Sequence, residues 1–275
     1  MINSTKKRNN KNIPGGHIPL RIFAWAIAGL VCIAFAPSQG VAANFSITPT
    51  FLDLSSGAKS GAFSVINSGE EKLTCQIEVK EWAQDAEGKD AYTETKDIVL
   101  FPQIMTVAPN EQRAIRIGFK APPGPKEKTY RLFVMEIPSQ KKEPEGKGTG
   151  KITAGLTIAF QYSVPIFVKP IRQQENGIIE KVEMSMGTAR AVIRNTGNIH
   201  FKLNSVMFRG KAADGTELFS KELTGWYVLH GLARSYEVTV PRDVCDKLSM
   251  IEIKAQAENF EIKGNMNVLK TMCLQ

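Results

Sequence analysis

Leu156-Thr157-Ile158-Ala159-Phe160-Gln161-Tyr162-Ser163-Val164-Pro165-Ile166-Phe167-Val168 is the stretch from which the fold is read. Every second residue from Leu156 to Val168 is large and apolar, while Thr157, Ala159, Gln161 and Ser163 between them are small or polar. A period of two is that of a β-strand with one buried face. The 13 residues would span about 43 Å at 3.3 Å per residue. A usual strand has five or six residues, so this one outruns a single sandwich domain.

Short strand-like runs with turn punctuation lie on both sides of it. Upstream are Phe45 to Pro49, Ala62 to Ile66, Leu73 to Trp82, Ile98 to Phe101, Gln103 to Val107, Arg113 to Phe119 and Tyr130 to Ile137. Asn67-Ser68-Gly69, Ala83 to Gly88 and Ala108-Pro109-Asn110-Glu111 supply the turns, and a polar loop spans Pro138 to Lys151. Downstream, after Lys169-Pro170-Ile171-Arg172, come Ile178 to Met186, Thr188 to Arg194, Phe201 to Phe208, Glu217 to Leu223, Tyr236 to Val240 and Met250 to Gln256. No window of helical periodicity and no internal repeat is detected. Strands at this spacing predict an all-β chain of two β-sandwich domains, 44–169 and 170–275.

The composition fits a globular protein: 275 residues, 43% hydrophobic, 14 Pro, 22 Gly and 4 Cys. The formal charge of +8 invites an anionic partner, but much of it sits at one end. Lys6, Lys7, Arg8, Lys11 and Arg21 precede an apolar run, Ile22 to Phe35, that is short for a bilayer span; small residues follow up to Ala43. This is the layout of a secretory signal peptide, 1–43, cut after Ala43. The remainder carries 30 bases against 27 acids, which no longer argues for nucleic acid, and holds no segment for stable membrane insertion. In an oxidising compartment Cys245 and Cys273 are expected to pair, leaving Cys75 as a buried thiol.

Signals of catalysis are weak. After residue 43 two histidines remain, His200 and His230, both in turn-like contexts that read as surface, with no partner at metal-ligand spacing. No Gly-x-Ser-x-Gly occurs. Gly146-Lys147-Gly148-Thr149-Gly150-Lys151 looks like a phosphate cradle, but its spacing is wrong and a strand follows where a helix should. No catalytic residue, cofactor or metal is expected. The long alternating strand leaves two readings open: a central strand filling the chain's own core, or an open edge lent to a partner lacking a strand.

Several segments resemble the periplasmic chaperones of the PapD-like pilus-assembly (chaperone–usher) family: Phe45 to Leu54, Trp82-Ala83-Gln84, Phe101 to Phe119, Tyr130-Arg131-Leu132-Phe133-Val134-Met135-Glu136-Ile137-Pro138 and Tyr162 to Pro170. In the second half Arg194 to His200 and Gly225 to Leu229 are also similar. The resemblance implies two immunoglobulin-like sandwiches in an L shape. It also implies a periplasmic chaperone that completes pilus or fimbrial subunits with a donor strand and delivers them to an outer-membrane usher. The donor residues would be Leu156, Ile158, Phe160 and Tyr162. The alternative is a secreted structural or adhesive tandem β-sandwich without chaperone activity.

The family's better-known branch holds the subunit's C-terminal carboxylate with an Arg and a Lys, and those positions here are Phe51 and Pro165, neither a cation. The Trp-Ala-Gln turn and Tyr-Arg pair look like the archaic branch. Arg131, then Arg116, are the candidate anchors, because a guanidinium suits a carboxylate. An interdomain ion network is expected from Glu136 and Lys169 with Asp243 or Asp246.

Overall fold

The computed structural model describes residues 44–85, 87–120, 122–138 and 159–273. The signal segment, the Gly/Lys-rich loop, Leu156 and Ile158 lie outside the described residues.

The first half supplies ten strands: β1 (Phe45–Thr48), β2 (Leu52–Leu54), β3 (Ser60–Asn67), β4 (Leu73–Gln84), β5 (Asp90–Glu94), β6 (Ile98–Phe101), β7 (Ile104–Val107), β8 (Gln112–Phe119), β9 (Lys128–Glu136) and β10 (Gln161–Val168). They form a four-stranded sheet, β1-β3-β8-β6, and a six-stranded one, β2-β10-β9-β4-β5, with β7 also on β4. Between the sheets lie the inward members of each alternation, among them Phe63, Ile77, Ile115, Tyr130, Leu132 and Ile166, all buried. Burial of such side chains in two facing layers is what drives a sandwich.

The second half supplies β11 (Gly177–Ser185), β12 (Thr188–Asn195), β13 (Phe201–Lys211), β14 (Glu217–Thr224), β15 (Tyr227–Val228), β16 (Ala233–Thr239), β17 (Met250–Ala257) and β18 (Glu261–Asn267), with a short helix α1 (Arg242–Cys245) after β16. Sheet β11-β12-β16 faces sheet β14-β13-β17-β18 across a separate core that includes Phe201, Leu203, Phe208 and Ile253. Cys245 on α1 is bonded to Cys273, in a closing 3-10 turn (Lys270–Cys273), with their Cα atoms 5.8 Å apart. Cys75 is free and buried, and burial, helped by Glu136, pushes its thiol up to about 11. It is therefore a packing residue at neutral pH, not a nucleophile.

The all-β reading holds. Four strands had no reading in the sequence: β2, β5, β15 and β18. Each is very short, fully polar in appearance, or interrupted, as Gly264 interrupts β18.

Candidate functional site

Strand β10 changes character along its length. From Val164 to Val168 every residue is buried, whereas Gln161, Tyr162 and Ser163 are exposed. The sealed end lies between β9, antiparallel, and β2, which joins in parallel through Ile166, Phe167 and Val168. Before Ile166 only β9 pairs with β10 among the described residues, so the other edge from Gln161 to Pro165 presents backbone donors and acceptors without a strand. The ladder to β9 continues to Phe160, whose carbonyl accepts from the Glu136 amide at 2.9 Å.

The apolar row has both fates that its sequence allowed. Val164, Ile166 and Val168 fill the chain's own core. Phe160 is only partly buried against that core, and Tyr162, 36% exposed, sets its ring edge-on to Phe45 of β1 at 4.8 Å. Phe45 and Tyr162 thus mark the place where the open edge of β10 meets the neighbouring sheet.

The other face of the six-stranded sheet carries Arg131. Tyr130, Leu132 and Val134 of β9 point into the core, so Arg131 and Phe133 point out of it. Arg131 sits in register with Pro165 on one side and Lys80 on the other. The residue beside Pro165 on the next strand is thus a cation. Although charged, Arg131 is only 4% exposed. Its guanidinium carbon lies 4.0 Å from the Trp82 ring centre, 5.6 Å from Trp226 and 5.9 Å from Tyr227, with one 3.4 Å contact from Nη1 to the Ser163 hydroxyl. Ring faces attract a cation, but Nε and Nη2 are buried with no hydrogen-bond partner among the described residues. Arg116 is elsewhere: it is exposed on β8, in the other sheet, opposite Ala62 and Phe101.

Trp82 also begins the junction between the sandwiches. Trp82, Phe167 and Leu229 form a small buried cluster with Tyr227 and Leu232 packed on it. The Gln84 side chain donates to the Tyr227 carbonyl at 2.9 Å and accepts from the Leu229 amide at 3.2 Å. The β4–β5 turn reaches over as well, where Arg234 donates to the Gly88 carbonyl and Trp226 Nε1 donates to Asp90 at 3.3 Å.

The ion network expected here is corrected by the structure. Lys169 pairs with Asp53 at 2.6 Å, and Glu136 accepts from the Phe160 amide at 3.3 Å. The two lie at opposite ends of β9, about 26 Å apart by strand rise, and so cannot meet. Asp243 and Asp246 are exposed in and just after α1, beyond Val240, whose amide bonds to Gly187 at the end of β12 away from the junction. The acid at the junction is Glu127. Its carboxylate has no exposed side-chain surface, and Oε2 accepts from both the backbone amide and Nδ1 of His200 at 2.8 Å. His200 is no surface residue either: its ring stacks on Phe167 at 3.6 Å. The signal for Glu127 was present, an acid two residues past Gly124-Pro125 and just before a strand, but such acids normally cap turns in solvent. Among the described residues no group of three or more His, Cys, Asp or Glu is placed to hold a metal.

No curated protein matches the chain. Among solved structures it is similar to the CsuC-CsuE chaperone-tip adhesion subunit pre-assembly complex from the archaic chaperone-usher Csu pili of Acinetobacter baumannii, with TM-score 0.55 and 20% identity over 80% of this chain and 98% of that one. The Salmonella enterica SafA pilin in complex with the SafB chaperone gives TM-score 0.50 and 14% identity, over 83% of this chain and 99% of the other. At these identities the likeness is one of fold. Residues 44–174, the sandwich bearing the open strand and Arg131, match the family model of the pili and flagellar-assembly chaperones, PapD N-terminal domain. That domain is where the likeness to the pili and flagellar-assembly chaperones lies.

Proposed function

We propose that the chain is a periplasmic chaperone that binds pilus or fimbrial subunits by lending them the open edge of β10 and passes them to an outer-membrane usher. One observation carries this reading: β10 is sealed on both sides at Ile166–Val168 but paired on one side only from Gln161 to Pro165. A protein hides such an edge unless pairing is its purpose. The domains would be 44–169 and 170–275 after removal of 1–43, with Leu156, Ile158, Phe160 and Tyr162 as the lent residues. The fold is shared with complexes that contain a pilin or a tip subunit, which supports a subunit as the occupant.

Arg131 would hold the subunit's terminal carboxylate; Arg116, in the other sheet, has no part in this. No nucleotide is needed, because a subunit exchanges the lent strand for the better-fitting strand of the next subunit and runs downhill through its own folding. The reading is tested by co-expressing the chain with candidate pilus-subunit genes and measuring the subunit recovered with it from the periplasm. Leu156→Asp with Phe160→Asp should abolish recovery. Unchanged recovery would favour a tandem sandwich of structural role.

A further inference from the structure

We infer, resting on the reading of Arg131 as the carboxylate anchor, that Trp226 is a displaceable cover on that anchor and decides what it admits. Nε and Nη2, the two buried nitrogens of Arg131 without a partner, are the pair along one edge of the planar fork. Two parallel N–H groups match the two oxygens of a carboxylate, whereas a neutral amide offers one oxygen and leaves one donor bare. Buried donors without partners are unfavourable, which favours a ligand that pairs both.

Such a ligand must first reach an edge that solvent does not. Three rings surround the guanidinium, and two of them cannot yield without opening the junction. Trp82 is 1% exposed, and Tyr227 packs edge-on to Trp82 at 5.4 Å and against Phe167 at 5.8 Å. Trp226 is different: the residue is 36% exposed, and its indole is held by a 3.3 Å hydrogen bond to Asp90 and an edge contact to Tyr227. Its backbone is held, because its carbonyl accepts from the Leu203 amide at 3.0 Å and the preceding Gly225 amide donates to the Asn204 carbonyl at 3.1 Å, so movement belongs to the side chain. Swinging the indole outward would bare the Arg131 fork and leave Trp82, Phe167 and Leu229 packed together, giving up only its own edge contact to Tyr227 at 5.7 Å. A free chain terminus is slender enough to follow; a carboxylate on a folded surface is not.

Protein purified from periplasm and labelled with fluorotryptophan gives separate fluorine resonances for Trp82 and Trp226, assigned with Trp226→Phe. The probes are N-acetyl-Gly-Gly-Phe with a free carboxylate and the same peptide as its amide. The carboxylate should move the Trp226 resonance saturably toward that of an exposed indole, and the amide should not. Arg131→Gln should remove the response. A cover competes with the ligand, so Trp226→Ala, if its melting temperature is retained, should bind the carboxylate about threefold more tightly or better. If the Arg131 Nε resonance responds to the carboxylate while Trp226 stays still, or if Trp226→Ala binds no more tightly, the cover is refuted and the anchor stands. A carboxylate that leaves Arg131 Nε unmoved overturns both.

Discussion

Asn67 and Asn195 are buried polar residues that hold equivalent corners of the two sandwiches. Asn67 offers its side-chain amide to the carbonyls of Glu71, Val107 and Ala108 at 2.8, 3.1 and 3.2 Å, and its oxygen accepts from the Gly69 amide at 2.9 Å. Asn195 does the same with Ile199 and Val228 at 2.8 and 2.9 Å, and with the Gly197 amide at 2.8 Å. Asn→Ala at either site leaves buried carbonyls bare and is expected to cost about 2 to 3 kcal/mol. Urea unfolding of each variant measures it, and a change within error would mean that water replaces the side chain. Asn67-Ser68-Gly69 and Asn195-Thr196-Gly197 are a repeat of the fold written in three residues. That is too short to stand out in a sequence, where the first read only as a turn. Arg131 was legible as a cation of the right type, but its setting was not, since the rings around it come from residues 82, 226 and 227. Glu127 and His200 escaped for the same reason: each completes a partner 73 positions away.

At the level of elements, alternation was informative wherever one face is buried. It revealed β10, β4 and β13, and it failed for β5, whose residues are nearly all exposed, and for β18, where polar residues and Gly264 blur the period. Before residue 159 the alternating strand is read from the sequence pattern. The disulfide fastens α1 to the closing 3-10 turn over a sequence separation of 28. Closing a loop of that size restrains the unfolded chain by about 3.5 kcal/mol. Cys245→Ser with Cys273→Ser should therefore lower the melting temperature by several degrees, and reductant should do the same to the parent chain. Equal melting curves with and without reductant would show that β17 and β18 already hold this end.

Across the whole molecule, both histidines after residue 43 gather near Glu127. His230 has its imidazole held below the ordinary value, first by burial and then by repulsion from Lys126, with Glu127 acting the other way. The folded chain thus binds this proton less readily than the unfolded chain does. Its effect on stability is absent above about pH 6.5 and becomes a loss as the pH falls toward and through the lowered value. The urea midpoint should fall between pH 7.5 and pH 5.5, and by less in His230→Gln; an identical fall in both would sink the assignment. The pairing of β2 with β10 has a consequence of another kind. Asp53 gains its strand partner only when Phe167 arrives, so a chain made N-terminus first must wait for over a hundred further residues before that contact forms. Until then the first sandwich is an unfinished object, and its rate of completion is set by contact order and not by local preference. A protein that would supply a missing strand to others begins its own life without one.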